Sequence, residues 1–380
     1  MKPPYQICNR CVMDTSDVDI QFDEKGNCNH CNNFFKKISA QLYDESKAEE
    51  SRKALENQIN SIKESGKNNT FDCIIGVSGG VDSSYVAYLA KNYGLKPLLV
   101  HLDNGWDSTV STENIRFLAD KLEFEYMSYT LDWEEFKDLQ LSFLKASVPE
   151  METPTDIVVP AVLHKIAAQH NIKYIISGGN FATEGILPKT WSYDAKDLQY
   201  LLGIHKKFGT KKLKTFPKFG WKEELYYKIV KKIKMFYILN LVPFDKEKAM
   251  KILETELGWK YYGGKHYESI YTGFVQSYIM PRKFNMDYRR ATLSTQICHG
   301  QTTRELALKE LQQKPYNDET IEKQKVAVCE KLNISIADFE KFMQEPPKMY
   351  RDYPNNEKFL QFIYKSYLKL TGKTNYREDL

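Results

Sequence analysis

Phe71-Asp72-Cys73-Ile74-Ile75-Gly76-Val77-Ser78-Gly79-Gly80-Val81-Asp82-Ser83-Ser84 is the stretch on which the fold turns. Cys73 to Val77 is a short apolar run and predicts a buried strand. The run stops at Ser78-Gly79-Gly80, where the missing Cβ atoms let the backbone turn sharply and approach a ligand closely. Asp82 and Ser83 then open a helical pattern from Ser84 to Tyr93, in which Tyr85, Tyr88 and Leu89 recur at helical spacing. The first turn of a helix carries unpaired N–H groups, so a glycine turn leading into it suits an anion. A Walker A loop is excluded, because it needs a lysine and none occurs between Gly76 and Lys91. The dinucleotide pattern Gly-x-Gly-x-x-Gly does not fit either.

Ser78-Gly79-Gly80-Val81-Asp82-Ser83 resembles the PP-loop of the ATP pyrophosphatases, the group that includes GMP synthetase, asparagine synthetase and tRNA-modifying ligases. That resemblance implies that Ser78, Gly79, Gly80, Val81, Asp82 and Ser83 hold the pyrophosphate of ATP while AMP is transferred to a carbonyl-type oxygen.

Downstream, strand and helix patterns alternate from Thr70 to Asn180. Pro97 to Leu102 is a second apolar run, 109–122 reads as a helix, 124–129 as a third strand, 133–146 and 157–170 as helices, and Tyr174 to Ser177 as the next strand. This alternation predicts an α/β fold, a doubly wound parallel sheet with helices on both faces. Ligands of such sheets sit outside the carboxyl ends of the strands. Three strands end in polar or glycine-rich turns: Ser78–Ser83, His101–Gly105 and Gly178–Asn180. By the family resemblance, His101, Asp103, Gly178 and Gly179 flank the nucleotide.

Upstream, Cys8-x2-Cys11 and Cys28-x2-Cys31 are separated by sixteen residues, a spacing that fits a four-cysteine zinc site. With four thiolates no coordination position is left for water, so a Zn²⁺ there would be structural. Iron–sulfur or redox cysteines are the rival reading. His30 lies inside the second knuckle and is superfluous as a ligand. The domains expected are a knuckle at 1–36, a charged helical linker at 37–69, a catalytic domain at 70–312 with an insertion at 181–280, and a helical extension at 313–380. In the linker, Leu42, Leu55, Ile59 and Ile62 are sparse among charges and predict exposed helices.

Bulk composition adds bounds. With 380 residues, 42% hydrophobic and 27% charged, the chain reads as soluble and globular with a real core. The net charge of +4 does not demand a nucleic-acid partner. No apolar stretch approaches the roughly 18 residues of a membrane span, and Met1-Lys2-Pro3-Pro4-Tyr5 leads into no signal-like segment. Seven cysteines with four in one paired pattern suit a reducing compartment, so a cytoplasmic location is expected. Within the insertion, His205 to Lys234 holds eleven lysines against two glutamates. Phe208, Phe216, Phe219, Trp221, Tyr226 and Tyr227 interleave with them, a pattern open to a solvated face, an anionic ligand or a local core.

A second informative stretch runs from 258 to 311. Gly263-Gly264-Lys265-His266-Tyr267-Glu268-Ser269 is followed by Lys283-Phe284-Asn285-Met286-Asp287-Tyr288-Arg289-Arg290. Lys, His, Arg and Asp grouped around glycines suit a site that handles phosphate and developing negative charge. Together with the cysteine knuckle and the PP-loop, these two motifs resemble the N-acetyl sugar amidotransferases of bacterial surface-polysaccharide and flagellin-glycan biosynthesis, over about residues 5–312.

The resemblance implies an ATP- and Mg²⁺-dependent enzyme that converts an acetamido group of a sugar to an acetamidino group. Ammonia would come from a separate glutaminase subunit, similar to that of histidine biosynthesis, working with a cyclase-like partner. Asp82 would help to position the metal, Lys265 or Lys283 would stabilise charge on the α-phosphate, and His266, Glu268, Asp287 and Arg289 would contact the sugar. An external ammonia source agrees with the residues: Lys2 is not a cysteine, and Cys73, Cys298 and Cys329 lack the setting of a glutaminase nucleophile. A zinc-containing PP-loop enzyme that thiolates tRNA is the alternative; it usually needs catalytic cysteines beyond the metal set.

Overall fold

A computed structural model describes residues 4–193, 197–263 and 268–371. Five parallel strands form one sheet: β1 (Cys73–Gly76), β2 (Pro97–Asp103), β3 (Tyr126–Thr130), β4 (Tyr174–Ile176) and β5 (Lys234–Phe236), in the order β3-β2-β1-β4-β5. The helices that cover it are α1 (Ala48–Gly66), α2 (Val81–Asn92), α3 (Thr109–Leu122), α4 (Trp133–Ala146), α5 (Thr153–Gln169) and α6 (Lys246–Leu257); α7 (Tyr288–His299) lies beyond them in the chain.

Alternation of side chains along each strand splits the core in two. Ile74, Leu98 and Ile175 face α4 and α5, whereas Ile75, Leu99 and Ile176 face α1, α2, α3 and α6. Ile75 stands in register with Leu99 on one side and Ile176 on the other, and all three are fully buried. Each such side chain contributes roughly 1.5–3 kcal/mol by leaving water. The chain steps from β1 to β2 in one direction and later returns to place β4 on the other side of β1. The switch in direction opens a crevice at the carboxyl ends of β1 and β4, where a doubly wound sheet takes its ligand.

Several elements differ from the sequence expectation, each for a local reason. Phe124 does not start β3; its N–H donates to the Ala119 carbonyl at 3.0 Å and closes the end of α3. α5 begins four residues early, at Thr153, because Pro154 suits a first helical turn. β5 lies inside the segment read as an interruption, where three residues are too few for a periodicity signal. α1 is not simply exposed: Leu55, Ile59 and Ile62 form a buried stripe against the second core. The basic segment resolves into parts. Backbone N–H groups of Thr210 and Lys211 donate to Asp138, and those of Lys214, Thr215 and Phe216 donate to Glu135. Phe216 and Phe219 are buried as local core while Lys211, Lys212, Lys214 and Lys218 stay exposed.

The cysteine knuckle is pinned to the C-terminal part. Val12 N–H donates to Ser294 Oγ on α7 at 3.2 Å, and Arg290 returns a bond to the Val12 carbonyl at 2.8 Å. The Arg304 guanidinium reaches the carbonyls of Cys8 at 2.9 Å and Cys11 at 3.1 Å. The described part of the last stretch is helical: Asp318–Leu332, Ile336–Gln344 and Glu357–Thr371.

Candidate functional site: a loop and cavity at the switch point

The loop between β1 and α2 is held from all sides. Ser78 N–H donates to Ser83 Oγ at 3.2 Å, and Gly80 N–H donates to Ser78 Oγ at 3.3 Å. Gly79 adopts φ +78°, and a Cβ there would stand 2.4 Å from the Ser111 carbonyl oxygen, so only glycine fits. Its own carbonyl accepts from the Trp259 indole at 2.9 Å and from Asn114 Nδ2 at 3.3 Å. Asn114 also exchanges bonds with the backbone of Lys260, at 2.8 and 2.9 Å, which ties the Trp259 segment over the loop. Gly80 is the N-cap of α2 and supplies no side-chain acceptor, which leaves the first-turn N–H groups for an anion.

In front of the loop lies a cavity of about 650 Å³, bounded by Ser78 and His101 from β1 and β2, Ser177 and Gly178 after β4, the start of α5, and residues 268–292. Its described lining carries Asp107, Glu150, Glu152, Asp156, Glu184 and Glu268, with His101 and no lysine or arginine. His101 bridges the Val77 carbonyl and the Asp107 carboxylate, both at 2.9 Å. Burial opposes its charge, but the Asp107 carboxylate outweighs that and holds its pKa above the usual histidine value. Burial pushes Glu150 up to about 7 against the donation of the Tyr200 hydroxyl. Burial, with Glu152 nearby, pushes Asp156 up to about 8. Asp156 keeps accessible surface although protein encloses it, because that surface is the cavity wall. Glu152 accepts from Thr272 Oγ1 at 2.6 Å.

The residues singled out from sequence are distributed unevenly around this cavity. Ser78, His101, Gly178 and Glu268 line it. Gly178 also packs under the loop, where a Cβ would come within 3.0 Å of Ser83 N. Asp82 stands on the first turn of α2, and Glu268 Oε1 lies 3.4 Å from where a Cβ on Gly80 would be. Two carboxylates at a phosphate loop are the hard oxygen donors that suit Mg²⁺. Other positions are placed elsewhere. Asp103 accepts from Gly105 N–H at 3.0 Å and does not line the cavity, and Gly179 packs on Tyr237. Lys283 is removed from the loop: its ammonium donates to the carbonyls of Phe342 and Glu345 at the end of the helix Ile336–Gln344. Asp287 caps α7 and pairs with Arg289 at 2.6 Å, and Arg289 borders a second cavity behind Tyr288 rather than the first. Lys265 and His266 lie outside the described residues.

Sequence reasoning missed Asn114, Asp107, Trp259 as a cover of the loop, and the carboxylates at the start of α5. Only Asn114 carried a signal, a polar residue at a position where the periodicity of α3 asks for an apolar one. Among the described residues, the one group of metal-ligating side chains is Cys8, Cys11, Cys28 and Cys31, whose sulfurs all lie within 4.8 Å of one another. The Cys8–Cys31 and Cys11–Cys28 separations are 3.7 and 3.6 Å. A single tetrahedral ion with metal–sulfur bonds of about 2.3 Å requires sulfurs about 3.8 Å apart. A cluster would hold its cysteines further apart around its own irons and sulfides. His30 instead pairs with Asp17 at 2.6 Å, outside the four-sulfur set.

Sheet order, loop and crevice give a PP-loop fold of the NAD synthase type, and residues 52–146 match the family described as NAD synthase. Residues 268–369 match the family described as LPS biosynthesis protein WbpG-like, C-terminal domain. The chain therefore joins a segment similar to the NAD synthase family to a segment similar to the WbpG-like C-terminal domain. Among curated proteins it resembles the probable mitochondrial tRNA-specific 2-thiouridylase 1 of Caenorhabditis elegans, 29% identical over 126 residues that cover 29% of this chain and 33% of that one. The chain thus spans about a third of the length of that relative. Similar solved structures include the NH3-dependent NAD synthetase of Campylobacter jejuni, at 20% identity and TM-score 0.28 over 41% of this chain and 72% of that one. Another is the U34-tRNA thiolase NcsA of Methanococcus maripaludis with its 4Fe–4S cluster, at 15% identity and TM-score 0.29 over 80% and 88%. No helix among the described residues is long and apolar enough to cross a membrane.

Proposed function

We propose that this chain is an ATP-dependent, AMP-forming amidotransferase that converts the acetamido group of a bacterial surface-glycan sugar to an acetamidino group in the cytoplasm. One observation carries this reading. The PP-loop and the WbpG-like domain enclose the same cavity, with Ser78 on one wall and Glu268, Thr272, Tyr288 and Thr292 on the other. An amide carbonyl is a poor electrophile because its leaving group is poor. Transfer of AMP to the amide oxygen, with loss of pyrophosphate, gives an imidate. Attack of ammonia on the imidate carbon then expels AMP with the former amide oxygen and leaves the amidine. N–H groups at Ser78–Ser83 would receive the pyrophosphate, and Mg²⁺ held near Asp82 and Glu268 would offset its charge. The four cysteines would hold one structural Zn²⁺. Ammonia would come from a separate glutaminase of the histidine-biosynthesis kind acting with a cyclase-like partner.

A tRNA-thiolating reading draws support from the 2-thiouridylase match. Against it, the cysteines beyond the metal set are buried: Cys73 at 0%, Cys298 at 8% and Cys329 at 2% exposure, and none offers an accessible sulfur carrier.

The test is isotopic. An N-acetyl sugar labelled with ¹⁸O at the acetyl carbonyl is incubated with the chain, ATP and ammonium, and the AMP is weighed. The proposal requires one label in AMP and none in pyrophosphate. ADP and phosphate as products would instead indicate γ-phosphoryl activation, and unlabelled AMP would show that ATP activates some other group; either removes the reading.

A further inference from the structure

The cavity extends well past the nucleotide loop, and its far end has a chemistry of its own. There Glu150 is 9% exposed; its Oε2 accepts from the Tyr200 hydroxyl at 3.0 Å, while its Oε1 has no partner among the described residues. Trp191 is fully buried at the same wall, and its indole N–H is also without a partner among the described residues. A buried donor or acceptor left unmade costs about 1–3 kcal/mol, so such a pair at a cavity wall points to a ligand that completes it. The Asp156 carboxyl faces the cavity and makes no hydrogen bond or ion pair to a described residue. The rings around these groups are held rigidly. Tyr288 packs on Trp191 with centroids 5.6 Å apart and donates to the Trp191 carbonyl at 2.9 Å. Tyr193, also on the wall, stacks on Tyr350 at 4.6 Å.

Carboxyl groups with no lysine or arginine among the described lining residues disfavour an anionic ligand here, and they equally disfavour a purely apolar one. Aromatic faces beside hydrogen-bonding carboxyls and an indole N–H match a ring that is apolar on its faces and hydroxylated at its edge. We propose that this end of the cavity binds the uncharged pyranose ring of the acceptor sugar, with any charged substituent of that sugar directed to the mouth. In this arrangement Glu150 and Asp156 take the ring hydroxyls, Trp191 donates to a ring or acyl oxygen, and Tyr193 offers its face. The subsite rests on the amidotransferase reading only for the identity of the N-acyl group; the preference for an uncharged hydroxylated ring stands on the wall itself.

Saturation-transfer NMR on the full chain tests it, with free N-acetylglucosamine and N-acetylgalactosamine as neutral probes and glucuronate and inorganic phosphate as anionic ones. The neutral sugars should receive saturation and the anions should not. Trp191→Phe keeps an aromatic ring and deletes the donor, and Glu150→Gln keeps the shape and replaces a carboxyl oxygen with an NH2 group. Each should reduce the sugar signal at least fivefold while ATP binding, which reports an intact fold, is unchanged. If one variant fails to bind ATP, Asp156→Asn replaces it. Equal signals from glucuronate or phosphate, no signal from either sugar, or sugar signals unchanged in two folded variants would overturn the subsite. Sugar binding that the variants abolish, with no labelled AMP formed, would sink the amidotransferase reading and leave the subsite standing. Labelled AMP formed with an unaltered sugar KM in the variants would do the reverse.

Discussion

Gly79 carries more of the site than any charged residue does. Its positive φ makes the turn, its missing Cβ admits the Ser111 backbone, and its carbonyl is the anchor for Trp259 and Asn114. Asp156 shows what the cavity demands of one side chain. Its pKa stands near 8 because burial, and then Glu152, resist a negative charge. Below its ordinary value of 3.8 the carboxyl is protonated in both folded and unfolded chains and adds no pH-dependent penalty. Between 3.8 and about 8 the unfolded chain has released the proton and the folded chain retains it, so stability falls as pH rises and levels off above 8. Asp156→Asn removes this titration. Its melting temperature should exceed that of the unaltered protein at pH 8 and converge with it toward pH 4. A difference that does not vary with pH would show that Asp156 ionises normally.

At the scale of elements, the knuckle is a brace for the far wall of the cavity. Arg290 and Ser294 lie on α7, the helix whose Tyr288, Ala291 and Thr292 line the cavity, and both bond to the knuckle backbone at Val12. Asp17, next to the knuckle and paired with His30, also accepts from Thr190 Oγ1 at 2.6 Å, beside Trp191. Four thiols held this close without an ion would repel as thiolates, so the metal should be needed for the brace. Cys28→Ser is expected to lose the ion and lower the melting temperature by on the order of 10 °C. Elemental analysis of the unaltered protein should return one zinc per chain and no acid-labile sulfide. Iron with sulfide, or no metal in a well-folded protein, would remove the zinc assignment.

The whole molecule places two halves of different kinship around one space. Ser108 N–H donates to the Glu268 carbonyl at 2.9 Å, and Ile270 N–H to the Trp106 carbonyl at 2.9 Å, so the WbpG-like part begins stitched to the loop after β2. Those of the six lining carboxyls that stay ionised favour cations over anions and work against a polyphosphate unless backbone N–H groups and Mg²⁺ offset the charge. The three cysteines outside the metal set are buried, and the proposed reaction takes its ammonia from outside the chain. Ammonium salts at elevated pH should therefore support turnover by the isolated chain, and glutamine should not until a glutaminase is added. Turnover with glutamine alone would show a nucleophile within this chain, and Cys298→Ala would locate or exclude it.

Local chemistry was enough to write the loop, the parallel sheet and the four-cysteine site from the amino-acid order. Each depends on residues close in sequence: an apolar run, a glycine turn and a helix start for β1 to α2, and two Cys-x-x-Cys turns for the knuckle. Lys283, expected at the α-phosphate, and Asp287 and Arg289, expected at the sugar, do not line the cavity in front of the loop. Their motif looked catalytic, yet Lys283 closes a helix end with carbonyls sixty residues later, and Asp287 caps the helix it starts. The acidic far end was invisible for the opposite reason. Glu150, Asp156, Trp191 and Tyr288 are spread over 139 positions and carry no shared spacing. Only the packing of α5, α7 and the segment after β4 around one crevice brings them together, because a cavity is a property of elements that fail to touch and not of any run of residues.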